Sequence, residues 1–350
     1  MRLKRSSPHI NIAGNRHGFP YSKGLLASSM MIAGISPDQA YRVAEKVEQI
    51  LAERGVKEIS STELRDLSAS LLAEIHERYA SSYLRWQAVE ELDCPLVILL
   101  GGATGVGKST VATQLATRLG ITRVISTDAI REVLRAAFSE EVMPVLYVSS
   151  FNADTALRMQ LPSSSDQLIV GFQEQVCAVS VGIKALIARA LEEGTDIIVE
   201  GAHVVPGYLE GWEEKFPEAV LVPVVITVSD EEAHRSHFHL RMMETPSRPR
   251  DRYLSGFDKI RAIQSYISGL ARERGVPVVE MFELDSALQE IAAIVVAKAL
   301  EKAQARGEAN STLPQTFDLD ESEEMSKKSK PPRLRSREIL GGRRKARAIP

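Results

Sequence analysis

Cysteine is nearly missing from this 350-residue chain, which holds only Cys94 and Cys177. Two thiols without metal-ligand spacing exclude a disulfide framework and a cysteine-built metal site, and they point to a reducing compartment, the cytoplasm. Both are expected to be small buried hydrophobes. Long apolar runs are missing as well; none approaches the roughly 20 residues of a membrane span. The start, Met1-Arg2-Leu3-Lys4-Arg5-Ser6-Ser7-Pro8, is basic but lacks the apolar stretch of a signal peptide. A charge excess is also absent. The 43 Lys and Arg against 46 Asp and Glu leave −3, which gives no general pull toward nucleic acid or an anionic membrane. No internal repeat is visible. What remains is an ordinary globular composition, long enough for one large domain or two smaller ones.

Against that background one stretch stands out, Gly101-Gly102-Ala103-Thr104-Gly105-Val106-Gly107-Lys108-Ser109-Thr110. It fits the phosphate-binding loop pattern G-x-x-x-x-G-K-[ST]. Leu96-Val97-Ile98-Leu99-Leu100 before it is a short apolar run between Pro95 and Gly101, which reads as a buried parallel strand. Val111, Leu115 and Leu119 after it recur at helical spacing, and Gly120 is a natural stop. Glycines let backbone N–H groups turn toward phosphate oxygens, and the helix start adds its positive dipole end. Gly102, Thr104, Gly105, Val106, Gly107, Lys108, Ser109 and Thr110 are therefore the expected nucleotide contacts. Lys108 is expected to reach the outer phosphates of ATP, and the Ser109 hydroxyl to sit on Mg²⁺.

Strands and helices alternate beyond this loop. Arg123–Thr127, Asp196–Gly201, Val220–Val228 and Val276–Glu280 read as further strands, which with the first make a parallel five-stranded sheet flanked by helices, an α/β fold. Asp128 stands where it caps the helix after the second strand. Ser139 to Ser165 contains Pro144, Pro162 and a serine run, and is expected to be a mobile substrate-covering segment. Ahead of the sheet lies a helical unit. Ser36-Pro37-Asp38 and Ser60-Ser61-Thr62-Glu63 are helix starts, and Ala40, Val43, Ala44, Val47 and Leu51 share one helical face. The expected division is 1–90 for the helical unit, 94–304 for the phosphate-loop domain, and 305–350 for a disordered charged tail. In that tail an acidic run, Asp318–Glu324, precedes a basic one, Lys327–Arg347.

Phosphoryl transfer asks for a positioned acceptor and for cations over the transferring group. Glu200, at the carboxyl end of the third strand, is expected to hold a Mg²⁺-bound water or polarise the acceptor, since ligands gather at such strand ends. Asp128 would accept the proton of an attacking hydroxyl, and Arg131, one turn on, would clamp a phosphate or carboxylate bidentately. His203 is a candidate acceptor contact. The run His234, Arg235, His237, His239, Arg241, Arg248, Arg250, Arg252 is expected to be a flap closing over the nucleotide, with Arg241 in catalysis and Arg248 at the substrate. The histidines there lack the further ligand that zinc would need.

The N-terminal order His17-Gly18-Phe19-Pro20-Tyr21-Ser22-Lys23, short helix, Ala33-Gly34-Ile35, long helix, Ile59-Ser60, helix resembles an ATP-cone, a nucleotide-binding regulatory module. Ile12-Ala13-Gly14-Asn15-Arg16-His17-Gly18 matches the start of that module in part. The phosphate loop, then Ile125-Ser126-Thr127-Asp128-Ala129-Ile130-Arg131-Glu132, then Val199-Glu200-Gly201-Ala202-His203-Val204-Val205-Pro206, and late Tyr253-Leu254-Ser255-Gly256-Phe257-Asp258-Lys259-Ile260-Arg261, resemble the 2-phosphoglycerate kinase family over about Tyr21 to Ala303. The resemblance implies ATP-dependent phosphorylation of 2-phosphoglycerate to 2,3-bisphosphoglycerate. Lys108 and Ser109 would serve ATP and Mg²⁺, while Asp128, Arg131 and Glu200 would serve acceptor and catalysis. The expected partner is then a small anionic substrate, and a homo-oligomer stays open. Two rivals fit the same residues: a kinase of another small hydroxylated or phosphorylated acceptor, and a nucleotide-sensing regulator without turnover.

Overall fold

A computed structural model describes residues 11–13, 21–90, 92, 94–159, 162, 164–208, 211, 215–244 and 250–306. The N-terminal unit opens with β1 (Asn11–Ala13), α1 (Lys23–Met31), α2 (Pro37–Glu53), β2 (Glu58–Ser60), α3 (Ser61–Ala73) and α4 (Glu77–Glu90). Pro37 begins α2 with its fixed φ, and Ser60 with Glu63 forms a reciprocal capping box on α3. Ala40, Val43, Ala44, Val47 and Leu51 bury one face of α2 against Leu26, Met30, Leu64 and Leu72, so this unit has its own core. β1 and β2 pair in parallel. Residues 14–20, which carry most of the cone-like start, lie outside the described residues.

The second part of the chain runs β3 (Leu96–Gly101), α5 (Lys108–Leu119), β4 (Val124–Ser126), α6 (Thr127–Ala137), α7 (Gln167–Glu192), β5 (Ile197–Gly201), β6 (Val220–Thr227), α8 (Glu231–Glu244), α9 (Arg250–Ser255), α10 (Phe257–Glu273), β7 (Val278–Glu280) and α11 (Leu284–Ala305). All five strands β3 to β7 are parallel in the order β4-β5-β3-β6-β7. Every residue of β3 and β5 is buried, as apolar strands covered on both faces require. One face is covered by α7, whose Val179, Ile183 and Ile187 pack on Val97, Leu99, Ile197 and Val199. By length and composition α7 would also suffice to cross a membrane, yet here its apolar stripe faces the sheet. The N-terminal unit meets this body through α1 on α5 and α4 on α11, with the Gln289 side chain donating to the Gly34 carbonyl at 3.5 Å.

Three expectations are corrected here. Ser139–Ser165, expected to be a mobile substrate-covering segment, does contribute Ser149–Phe151 to a cleft wall, but its described part is anchored. Its described part contains two 3₁₀ turns, Pro144–Leu146 and Ser150–Ala156, with Val145, Leu146, Phe151 and Ala153 buried and the second turn laid along α7. Apolar anchors, rather than periodicity, hold it down. Cys177 is exposed and Cys94 only partly buried. Cys177 lies off the stripe Phe172-Val176-Val179-Ile183, and Cys94 Sγ accepts from Arg306 Nη1 at 2.8 Å. The cap of α6 is Ser126, whose hydroxyl accepts from the Ala129 amide; Asp128 sits one residue into the first turn, with its carboxylate free of capping duty. At the 305–350 tail only Ala305 and Arg306 fall within the described residues, as the end of α11 and its cap.

Gly171 permits the close approach of α7 to the second 3₁₀ turn. A Cβ there would lie 2.6 Å from the backbone of Ala153 and Asp154. Gly171→Ala gains about 1 kcal/mol of helix propensity, but a clash against backbone costs roughly 1–3 kcal/mol. The expected net is a lower urea midpoint with unchanged m-value; a raised midpoint would contradict this packing.

Candidate active site

The register of β5 on β3 builds the site. Leu100 lies opposite Glu200 and Gly101 opposite Gly201, so a carboxylate on β5 arrives beside the point where β3 turns into the phosphate loop. Gly102 makes that turn at φ +141°, with Ile226 O 2.3 Å from where a Cβ would stand. No other residue fits so near a carbonyl. The loop then delivers Lys108 and Ser109 at the start of α5.

A cleft of about 370 Å³ opens at these strand ends, within the usual range for a small-molecule site. Thr104, Gly105, Gly107, Lys108, Ser109 and Thr110 line one end. Ser126, Asp128, Arg131, Ser149, Ser150 and Phe151 line the other, with Glu200, Gly201 and Ala202 between them. His237, Tyr253 and Met281 complete the wall. Two of the expected nucleotide contacts, Gly102 and Val106, are buried behind the loop rather than facing the cleft.

Glu200 is only 6% exposed, and its Oε1 accepts the Ser109 hydroxyl at 2.9 Å. Lys108, 8% exposed, donates from Nζ to the Ala103 carbonyl at 2.7 Å. Asp128 is the opposite case. Its side chain is 80% exposed, 3.7 Å from Arg131 Nε. Arg131 does not hold its fork ready for a ligand as expected. Its Nη1 donates to the carbonyls of Leu146 at 2.9 Å and Val148 at 3.1 Å, and its Nη2 to Glu132. It braces the cleft wall.

Two family models match the chain, one described as ATP cone domain over residues 18–92 and one as AAA domain over 97–260. Among curated proteins, 2-phosphoglycerate kinase of Methanopyrus kandleri is 38% identical over 83% of this chain and 88% of its own. The protein of that name from Methanothermobacter thermautotrophicus is 39% identical, over 80% and 91%, and that from Thermococcus kodakarensis 41%, over 80% and 93%. The chain belongs to the 2-phosphoglycerate kinase family.

His203 is the clearest departure from the expected acceptor set. It is 1% exposed and does not face the cleft. Its Nδ1 lies 2.9 Å from Thr127 Oγ1 and its Nε2 3.0 Å from Gln175 Oε1. The Gln175 amide nitrogen faces two carbonyls, Val145 O and Val148 O, so the oxygen must face His203. The ring therefore carries its proton on Nε2 and accepts the Thr127 hydroxyl at Nδ1. Burial pushes its pKa down to about 4, against a smaller upward pull from Asp128. Substrate contact by this ring is excluded by its burial.

Two histidines of α8, His234 and His237, grip the phosphate loop. His234 Nε2 donates to the Thr104 carbonyl at 2.9 Å and His237 Nδ1 to the Gly105 carbonyl at 3.0 Å. Phe238 packs where a Cβ on Gly105 would stand. Burial holds His234 down to about 4 as well. Nothing in the His-Arg run distinguishes these loop-gripping positions from solvated ones. Arg241 lies on α8, but its side chain is outside the described residues, and Arg248 is outside them altogether.

Both buried histidines ordinarily titrate near 6.5, so as pH falls the unfolded chain takes up protons first. Their contribution is fully present above about 6.5, declines below it and is lost as pH falls through about 4. Urea midpoints should therefore fall steadily from pH 7 to 4.5, and less in His203→Gln than in the wild type. Parallel curves for the two proteins would contradict the neutral, buried ring.

Proposed function

We propose that the chain transfers the γ-phosphoryl group of ATP to the free hydroxyl of 2-phosphoglycerate, giving ADP and 2,3-bisphosphoglycerate. The observation that carries the reading is the meeting of a phosphate loop with Glu200 and Asp128 in one cleft, in a chain of this family. ATP occupies the Thr104–Thr110 end. Lys108 lies where it offsets the charge that builds on the outer phosphates.

The residues at the start of α5 fit Mg²⁺, a hard cation that takes oxygen ligands. The Ser109 hydroxyl and Glu200 carboxylate stand together there, and no group of three or more His, Cys, Asp or Glu poised for a metal occurs among the described residues. Ser109 would be the protein ligand and Glu200 the carboxylate behind it; when bound, the ion neutralises phosphate charge. Glu200 keeps the Ser109 hydroxyl oriented. Asp128, exposed and one residue past Thr127, accepts the proton of the acceptor hydroxyl. Arg241 and Arg248 are assigned to charge over the transferring group and to the anionic acceptor. The division into a cone-like unit at 1–90, a kinase domain at 94–304 and a charged tail at 305–350 goes with this reading, as does a cytoplasmic setting.

Coupled ADP release across 2-phosphoglycerate, 3-phosphoglycerate, glycerate and a polyol should be fastest with 2-phosphoglycerate. Equal or absent release with it would remove the assignment. Asp128→Asn should lower kcat roughly 10²–10⁴-fold with the ATP KM little changed. A variant that retains wild-type kcat would take the proton-accepting role from Asp128.

A further inference from the structure

The acceptor end of the cleft is held by a buried polar network that never touches the cleft. Thr127, His203 and Gln175 are each 1% exposed or less. They come from the start of α6, the turn after β5 and the middle of α7. The Thr127 hydroxyl donates to His203 Nδ1, and His203 Nε2 donates to Gln175 Oε1. Gln175 Nε2 donates onward to the carbonyls of Val145 and Val148. Arg131 ties the same segment from the other side through Leu146 O and Val148 O. Two side chains thus hold three consecutive-turn carbonyls, and the next residues, Ser149, Ser150 and Phe151, are cleft wall. Asp128 follows Thr127 directly and lines the same cleft. The network therefore sets the gap between the exposed carboxylate and the facing wall.

We propose that His203 and Gln175 are positioning residues for the phosphoryl acceptor: through Val145 and Val148 they fix the Ser149–Phe151 wall against Asp128. The inference rests on the reading of this cleft as the acceptor site. The ring stays neutral at working pH, so it orients and does not shuttle protons.

Steady-state kinetics separate this from a role in folding alone. Losing one buried hydrogen bond behind the wall should raise the 2-phosphoglycerate KM about tenfold in His203→Ala and in Gln175→Leu. The ATP KM should stay within about twofold, since the phosphate loop is braced by other residues. His203→Gln, whose amide reaches Gln175 from the Nε2 position, should restore most of the acceptor affinity. Amide hydrogen exchange gives a readout that needs no turnover. In His203→Ala the amides from Leu146 to Phe151 should exchange at least about tenfold faster, with those from Gly102 to Ser109 unchanged. If the wild type turns over another acid of the panel, the substrate reading fails and the same KM split is read with that acid. The proposal is overturned if both KM values move together, if only stability falls, or if exchange speeds up uniformly.

Discussion

The structure depends on one register. β5 pairs with β3 so that Glu200 stands opposite Leu100, the residue before the first glycine of the loop. A shift of a single residue would turn the carboxylate to the other face of the sheet. Ser109 would then lose its 2.9 Å partner, and the start of α5 would face an apolar strand end. Strands buried on both faces could slip and still hide their apolar residues; close approaches that admit only glycine, Gly101 to Val204 O and Gly201 to Thr127 Oγ1, hold the register. Sheet packing is thus what places a charge at the phosphate loop.

Around this fixed point the cleft is made of two differently built halves. The nucleotide half is backbone, held by glycines and gripped from outside by His234 and His237. The other half is side chains, braced from beneath by Arg131, Gln175 and His203. A phosphate is the same in every nucleotide, so a rigid backbone cradle suits it. An acceptor differs from one kinase to another, and a wall set by long-range hydrogen bonds is where such differences are stored.

Legibility follows the same division. The loop, the strands and the helix starts at Pro37, Ser60 and Lys108 were readable because their causes are local: glycine φ, apolar runs, capping hydroxyls. Glu200 was readable because a strand end is a local landmark. His203 and Arg131 read as ligand contacts in the sequence because their partners, Gln175 and the carbonyls of Leu146 and Val148, sit at distances along the chain that no local pattern reports. The 3₁₀ turns carry no periodicity, and their prolines and serines look like open loop. Cys177 was different. The stripe at 172, 176, 179, 183 and 187 already excluded it from the buried face, so the signal was there.

The most direct measurement is a crystal structure with ADP, Mg²⁺, a fluoride mimic of the transferring phosphoryl group and 2-phosphoglycerate. The account predicts the mimic between Lys108 and Asp128, the metal on the Ser109 hydroxyl with Glu200 behind it, and the acceptor against the Ser149–Phe151 wall. Phosphates bound away from the 102–109 loop, or an acceptor held far from Asp128, would contradict it.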